Sequence, residues 1–193
     1  MEGSDAMSTS ARPDSRLTYD DFLLFPDDGQ RHELMDGEHY VTPTPVLRHQ
    51  RLLGRLYLSM AEYVRAHPAS GEALLSPFDI VFSKWDVVEP DLMFIAGDQP
   101  HILTEKNIVG APALVVEIFS PSTRRRDQRI KRQLFERNGV REYWMVDPDH
   151  NTVTIDRLDD TGKFTRSAEL GIDGALTTPL LPGWILPLAQ LFA

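Results

Sequence analysis

The stretch that decides the fold is Ala113-Leu-Val-Val-Glu-Ile-Phe119, which Ser120-Pro-Ser-Thr-Arg-Arg-Arg-Asp127 and then Lys131 follow. Its short, continuous apolar run is typical of a buried strand, and the run carries one carboxylate, Glu117. An unpaired carboxylate is costly to bury and otherwise takes up a proton. Glu117 is therefore expected to have a partner close by in the fold.

A second apolar run with a buried carboxylate lies upstream, in Val87-Val-Glu-Pro-Asp-Leu-Met-Phe-Ile95, where Asp91 is that carboxylate. Mg²⁺ prefers oxygen ligands and keeps several waters, so two or three carboxylates suffice to bind it. A divalent cation neutralises phosphoryl oxygens and acidifies a water, and a nearby lysine stabilises developing charge or helps to deprotonate that water. If the two strands are neighbours, Asp91, Glu117 and Lys131 predict a metal-dependent phosphodiesterase.

Lys131 lies in a predicted helix, on one face with Asp127, Leu134, Phe135 and Asn138. Because that face contains core residues, the lysine can reach inward over the strand ends. The simpler alternative is a surface pair with Asp127 at i,i+4 spacing.

The two carboxylates also have simpler interpretations. Glu117 could be a buried acid paired with a nearby arginine, and Asp91 could be a turn residue after Pro90. The joint pattern of two strand carboxylates and a lysine favours the metal site over these separate explanations.

Length and composition fit one soluble domain. The chain has 193 residues, of which 41% are hydrophobic and 25% charged, and it has no cysteine. No apolar run reaches the ~20 residues that a bilayer-spanning helix needs, and the first residues lack the charged-then-apolar pattern of a signal peptide, so we expect none. We expect a cytoplasmic protein without membrane contact, with a disordered tail over residues 1–16 and one domain over 17–193.

The charge is unevenly distributed. The net charge is −9, but positions 124–132 carry six basic residues against one acid, so this segment has +5 and the rest of the chain −14. A positive segment beside a carboxylate cluster suits an anionic substrate at a cation-loaded site. The alternative is an ordinary solvated helix face.

The remaining pattern predicts a mixed α/β or α+β domain. A capping box opens a short helix at Thr18, and Asp36-Gly37 is the turn of a hairpin over 31–41. The other predicted elements are a helix over 46–66, strands near 73–82, 87–95 and 113–119, a helix over 124–138 capped by Ser122 or Thr123, a strand over 141–147 and an edge hairpin over 151–168.

The chain resembles a family of restriction endonucleases called Uma-two, within the PD-(D/E)XK nuclease superfamily. The resemblance covers nearly the whole chain, from about residue 18 onward. The matching pieces are His32-Glu-Leu-Met-Asp-Gly37, Glu89-Pro-Asp-Leu92, Gly110-Ala-Pro112 with Leu114-Val-Val-Glu-Ile118, Ser120-Pro-Ser-Thr-Arg-Arg-Arg-Asp127, Lys131, Gly139-Val-Arg-Glu-Tyr-Trp144 with Val146-Asp-Pro148, and Leu181-Pro-Gly-Trp184.

The resemblance implies a restriction-endonuclease-like core, in which a central mixed sheet is flanked by helices and the site lies at one edge. It implies that Asp91 and Glu117 bind Mg²⁺ or Mn²⁺ and that Glu33 joins them or holds a water at the metal. His49 and Gln50, on the first long helix, are expected to face the same cleft; alternatively, His49 is a solvated helix residue.

Two positions depart from the family pattern. The standard superfamily motif has a lysine two residues after the glutamate, where this chain has Phe119, so Lys131 would have to replace it from the helix. Members commonly carry an acid just before the glutamate strand, where this chain has Ala113.

The leading hypothesis is an endonuclease that cleaves DNA by attack of water, with Asp91, Glu117, Glu33 and Lys131 as catalytic residues. Arg124, Arg125 and Arg126 would then contact the phosphate backbone. The alternatives are a nucleic-acid-binding or interaction module of the same fold and a hydrolase of a small phosphorylated molecule. A symmetric homodimer would cut both strands of a duplex most simply, but the sequence leaves the oligomeric state open.

Overall fold

The computed structural model describes residues 16–120 and 123–193. The tail expected over residues 1–16 therefore lies outside the described residues except for Arg16, and Ser122, one of the two proposed caps, also lies outside them.

Short strands dominate the described part of the chain. They are β1 (Arg31–Met35), β2 (Glu38–Thr42), β3 (Gly71–Leu75), β4 (Ile80–Ser83), β5 (Asp86–Val88), β6 (Leu92–Ala96), β7 (Ile108–Val109), β8 (Leu114–Ile118), β9 (Glu142–Asp147), β10 (Thr152–Leu158), β11 (Phe164–Leu170), β12 (Ala175–Leu176) and β13 (Leu186–Pro187). The helices are α1 (Tyr19–Phe22), α2 (Leu47–Ala66), α3 (Arg124–Arg126), a π-helical segment (Asp127–Lys131), α4 (Arg132–Asn138) and α5 (Leu188–Phe192), with 3₁₀ turns at Pro68–Ser70 and Pro100–Ile102.

The strands form a central six-stranded sheet of order β11-β10-β9-β8-β6-β3 and a five-stranded sheet of order β2-β1-β5-β4-β7, beside the β12–β13 pair. The central sheet is mixed because β8 and β9 run parallel and its other neighbours run antiparallel. The chain passes from the five-stranded to the central sheet through residues 89–91, which link β5 to β6. This link brings the start of β6 to the place where the two sheets meet.

Both faces of the central sheet are covered, and alternate residues of each strand serve opposite faces. One face packs against α2 and α5, with Leu92 and Val116 from the sheet in this core. The other face packs against α4 and the five-stranded sheet, with Met93 and Val115 in that second core. Odd-numbered positions of β6 and β8 thus point toward α4, which decides where Glu117 lies.

Much of the predicted secondary structure is confirmed. Thr18 closes a capping box with Asp21 at the start of α1, and Asp36 and Gly37, both with positive φ, form the turn between β1 and β2. The helix predicted over 46–66 is α2, the edge hairpin is β10–β11, and the helix predicted over 124–138 is present with the π-helical segment inside it. Tyr143 and Trp144 are fully buried in the core.

The prediction of two continuous strands near 73–82 and 87–95 is wrong. The first is divided into β3 and β4 around Pro77, and the second into β5 and β6 around Pro90. Because β3 pairs with β6 and β4 with β5, both breaks are points where the chain changes sheets. Proline has no N–H for a sheet ladder, which suits it to such a break.

None of the helices in the described part of the chain combines the length and apolar composition that crossing a bilayer requires.

Candidate active site

Asp91, in the link just before β6, lies beside Glu117 of β8. The antiparallel register pairs Leu92 with Val116 and Met93 with Val115, so the next position brings Asp91 opposite Glu117. Glu117 points toward the π-helical segment through its contact with Lys131, whereas Asp91, beyond the end of the strand, also reaches His49 on α2. The metal site predicted from the sequence required the two apolar runs to be neighbouring strands, and β6 and β8 are neighbours.

Asp91 is 1% exposed and both of its carboxylate oxygens are engaged. Oδ1 accepts a hydrogen bond from Arg31 Nη1 at 2.9 Å, and Oδ2 accepts the backbone N–H of Ile118 at 2.8 Å. His49 Nε2 lies 3.0 Å from Oδ2, and since an ionised carboxylate only accepts, this nitrogen carries the proton. Burial works against the carboxylate anion, but these donors and the Arg31 charge hold the pKa of Asp91 below its usual value.

Lys131 joins two carboxylates in the protein interior. It is 2% exposed, and its Nζ lies 2.6 Å from Glu117 Oε1 and 2.7 Å from Glu33 Oε1. Glu33, on β1 of the five-stranded sheet, also accepts the backbone N–H of Glu89 at 3.0 Å. The ammonium group therefore ties the two sheets together at the point where Asp91 lies.

The π-helical segment delivers this lysine. Within Asp127–Lys131 only the two terminal residues are buried, whereas Gln128, Arg129 and Ile130 are exposed. Asp127 Oδ1 is buried without a hydrogen-bond partner, and burial raises the pKa of this carboxyl. π-Helical turns often occur at functional sites, and here the turn points one acid and one base into the same cavity.

The two carboxylates that share Lys131 differ in their proton affinity. Burial raises the pKa of Glu117 well above its usual value, and the nearby charges of Asp127, Asp91 and Glu33 add to that increase. Burial also acts on Glu33, but Lys131 and Arg126 outweigh it and lower the pKa of Glu33. Burial disfavours the Lys131 cation, yet the surrounding carboxylates raise its pKa, so it remains an ammonium at neutral pH.

Asp91, Glu117, Asp127 and Lys131 line a cavity of about 260 Å³. Arg126 provides a further cation there; its Nη2 donates to Thr42 Oγ1 at 2.7 Å and lies 3.5 Å from Glu33 Oε2. Its Nε is buried without a hydrogen-bond partner. The cavity therefore combines carboxylates with guanidinium and ammonium groups, an arrangement suited to a phosphate together with a divalent cation.

The structure brings together most of the residues singled out in the sequence. Asp91, Glu117, Lys131 and His49 line the 260 Å³ cavity, and Glu33 reaches it through Lys131. Gln50 is exposed and lines an adjoining cavity of about 360 Å³ instead.

The three arginines of the basic segment occupy different environments. Arg126 lines the cavity, Arg125 is exposed, and Arg124 is held in ion pairs with Asp147 and Asp149. The basic segment is thus neither a continuous solvated helix face nor a continuous phosphate-binding surface. One arginine is exposed to solvent, one belongs to an ion-pair network and one lines the cavity.

Two of the simpler alternatives are wrong. Lys131 and Asp127 do not form a surface pair, because both are buried, and His49 is not a solvated helix residue, because it is 5% exposed. The third alternative is confirmed in its geometry, because Asp91 lies in the bend after Pro90; this carboxylate also binds three donors from two sheets and a helix. Glu117 is a buried paired acid, as one alternative held, but its partner is Lys131 rather than an arginine.

The two departures from the family pattern have structural counterparts. Phe119 is buried in the core that faces α4, so no lysine could occupy its position without displacing that packing. The ammonium group beside Glu117 comes from Lys131 instead. Ala113 is buried in the opposite core and contributes no polar group.

Sequence reasoning missed Arg31. This residue lies two positions before Glu33 in β1, so the two share a face of the strand. That spacing could have identified Arg31 once Glu33 was assigned to the site. Its contact with Asp91 could not have been inferred, because β1 and β6 belong to different sheets.

The donor set of Asp91 and Glu117 fits Mg²⁺ or Mn²⁺. Such a cation accepts one or two protein carboxylates and takes its other ligands from waters and substrate phosphate. Among the described residues, no group of three or more His, Asp or Glu side chains is arranged to hold an ion by itself. Glu33 contacts Lys131 and the Glu89 backbone, so Asp91 and Glu117 are the two carboxylates best placed to bind the ion.

Glu89, next to this group, provides a pH-dependent prediction. Burial raises its pKa to about 7, and its Oε1 is buried without a hydrogen-bond partner. Because the pKa of Glu89 is raised in the folded state, the stability that this carboxyl contributes is fully present below its unfolded pKa. That contribution is lost as the pH rises through about 7. We expect Glu89→Gln, which cannot ionise, to raise the free energy of unfolding by about 1–2 kcal/mol at about pH 8.5 and to change it little at about pH 5.

Urea unfolding in EDTA at both pH values measures this difference. The matched control is Glu105→Gln at an exposed loop position, where no pH-dependent difference from wild type is expected. An equal effect of Glu89→Gln at both pH values would contradict the assignment of an unfavourable buried charge.

Comparisons with known proteins agree with this fold. The family model Uma2, described as "Putative restriction endonuclease", matches residues 19–189. Among solved structures the chain is similar to a "putative nuclease belonging to DUF820 from Anabaena variabilis", with 20% identity, a TM-score of 0.76 and coverage of 91% of this chain and 97% of that one. No curated protein matches the chain. The chain thus has a restriction-endonuclease-like fold.

Proposed function

The chain belongs to the Uma2 family, and we propose that it is a Mg²⁺- or Mn²⁺-dependent endonuclease that hydrolyses DNA phosphodiester bonds by attack of water. The observation that carries the proposal is the buried group of Asp91, Glu117 and Lys131 in one cavity, with Glu33 held against Lys131 behind it. Burying four ionisable side chains does not by itself stabilise the fold, because the desolvation of each ion costs on the order of several kcal/mol before pairing. Their arrangement is better explained by chemistry on an anionic substrate.

Asp91 and Glu117 are proposed to hold the divalent cation. When bound, this cation neutralises phosphoryl oxygens and lowers the pKa of a water. Arg31 and His49 fix the orientation of the Asp91 carboxylate through their hydrogen bonds, and Ile118 N–H fixes it from the neighbouring strand. Residues held in this way lose little entropy when substrate binds.

Lys131 is proposed to stabilise negative charge on the phosphate and to position the attacking water. Because its pKa is raised by the surrounding carboxylates, it is an ammonium at neutral pH and a poor proton acceptor. Glu33 shares this ammonium, and we propose that it accepts a hydrogen bond from the water after exchanging one of its present partners. General-base catalysis therefore falls to a carboxylate rather than to the lysine.

The cationic groups of the cavity are proposed to bind the phosphate backbone. Arg126 has the best position, because it lines the cavity and its Nε has no hydrogen-bond partner within the protein. Arg125 is exposed next to Arg126 and can extend the contact along the backbone of the nucleic acid. Arg124 must exchange or share its ion pairs with Asp147 and Asp149 to take part. Such contacts are independent of sequence and weaken with salt.

A nucleic-acid-binding module without catalysis is the second candidate. It is favoured by one observation, namely that Lys131 already neutralises Glu33 and Glu117 within the protein. In such a module the buried group would be a structural network, and binding would need no cation.

Cleavage of supercoiled plasmid separates the two candidates. We expect wild-type protein to nick or linearise the plasmid with Mg²⁺ or Mn²⁺ and to leave it intact in EDTA. Mn²⁺ titration followed by electron paramagnetic resonance should show binding that Asp91→Asn weakens by about 10–100-fold, since this change removes one of the two charged ligands. Binding of DNA in EDTA, with neither Mn²⁺ binding nor cleavage, would support the module and contradict the nuclease.

A further inference from the structure

Two adjoining cavities meet at the candidate active site. The 260 Å³ cavity contains Glu117 and Lys131, and the 360 Å³ cavity contains Glu89 and Gln50. Residues 42–45, with Asp91 among others, line both, so they form the shared wall of the two cavities.

The two cavities differ in chemistry. Beside its charged groups, the first has apolar walls from Val46, Phe119 and Pro148, which can pack on the face of a base. The second has the side-chain amides of Gln30 and Gln50, which can hydrogen-bond to the edge of a base. One cavity is thus suited to stacking and the other to base-edge contacts, with the catalytic carboxylate Asp91 at their shared wall.

The shared wall is stiff and its outer end is apolar. Pro43 and Pro45 have fixed φ angles, and α2 begins directly after them. Val46 and Leu47, at this junction, are 68% and 66% exposed although they are apolar. Exposed apolar side chains at the edge of a cavity with guanidinium and ammonium groups complement a molecule that carries both negative charge and flat apolar surfaces, as a nucleic-acid strand does.

We propose that the substrate strand binds single-stranded, with the nucleotides on either side of the cleaved phosphate in separate cavities and residues 43–45 between their bases. The inference rests on the proposed nuclease function and specifies its substrate. Cavities of about 260 and 360 Å³ accommodate single small groups, whereas a base-paired duplex keeps its bases inside the stack. A duplex would have to be opened locally, at an energetic cost, before it could occupy both cavities.

Fluorescence anisotropy with a fluorescein-labelled oligonucleotide tests this inference. In EDTA, which prevents cleavage, we expect the single strand to bind about tenfold or more tightly than the duplex of the same sequence. Unlabelled competitors should show the two cavities directly. A dinucleotide is expected to compete about tenfold better than a mononucleotide, and a third nucleotide to add less than about threefold.

A matched pair of variants locates the contact. Val46→Ser removes the apolar side chain without adding charge, and serine is a favourable residue at this helix-capping position. We expect it to weaken single-strand binding about threefold or more. Leu58→Ser, at an equally exposed position farther along α2, should leave binding unchanged.

The outcomes distinguish single-strand binding from the proposed nuclease function. Equal binding of single strand and duplex, or equal competition by mononucleotide and dinucleotide, overturns the inference, and if the plasmid is still cut, the nuclease assignment stands. Absence of both binding and cleavage overturns the nuclease assignment together with the inference.

Discussion

Glu117→Gln is expected to lower metal-dependent cleavage by about 10²–10³-fold or more while the domain remains folded. Glutamine keeps the shape of glutamate but has no charge to bind a cation. Its Oε1 can still accept the hydrogen bond that Lys131 donates at 2.6 Å. The substitution therefore removes the proposed ligand and preserves the local geometry.

The stability of this variant should be close to that of wild type. Glu117 is buried and its pKa is raised well above the usual value, so its ionised form is unfavourable in the fold. Removing that charge offsets the loss of its ion pair with Lys131, which keeps Glu33 as a partner. We expect a change in the free energy of unfolding within about 1 kcal/mol.

Rates of plasmid cleavage with Mn²⁺, beside urea unfolding of the same preparations, measure both expectations. Glu105→Gln, an exposed acid on a loop, is the control and should match wild type in both assays. Retained cleavage by Glu117→Gln would remove Glu117 from the site. If Glu117→Gln loses cleavage because it unfolds, the metal site is tested instead by the Mn²⁺ affinity of Asp91→Asn. Unchanged affinity in that variant would contradict the metal site.

The residues of the candidate site could be predicted because their chemistry conflicts with their surroundings. Glu117 and Asp91 stand out as carboxylates in apolar runs, and the structure shows both buried and lining one cavity. Lys131 could be placed on the inner face of its helix from the spacing of Leu134 and Phe135. Each of these inferences depends on local periodicity, which a single sequence contains.

The contacts that cross between sheets could not be predicted in the same way. Arg31 reaches Asp91 and Glu33 reaches Lys131 only because β5 and β6 belong to different sheets and turn the chain at Pro90. Pro77 and Pro90 could have shown that the two predicted strands are interrupted, but a proline does not indicate that the chain continues in another sheet. The π-helical turn at Asp127–Lys131 was likewise not predicted, because the apolar spacing over 124–138 indicates only one helix.

Lys131→Met is expected to lower the free energy of unfolding by about 3–5 kcal/mol at neutral pH. Methionine fills much of the same volume, but it leaves Glu33 and Glu117 buried without their shared cation. Arg126, whose Nη2 lies 3.5 Å from Glu33, can compensate only in part. Removing one partner from a buried ion-pair group lowers stability strongly, because the remaining charges stay desolvated without compensation.

The pH dependence of this loss distinguishes a charge effect from a packing effect. Without Lys131 the pKa values of Glu33 and Glu117 rise in the folded state, so both groups take up protons more readily than in the unfolded chain. Stability that depends on a raised carboxyl pKa is present at low pH and lost as the pH rises. The deficit relative to wild type should therefore be largest at about pH 8 and should shrink toward about pH 5.

Urea unfolding in EDTA across this range measures the deficit, with Arg129→Met on the exposed side of the same segment as a charge-matched control. We expect the control to change stability by less than about 0.5 kcal/mol at every pH. A deficit for Lys131→Met that is independent of pH would show that the methylene groups of the side chain, and not its ammonium, stabilise this region. The ammonium would then be unnecessary to the fold, and its position 2.6 Å from Glu117 would have to be explained by catalysis alone.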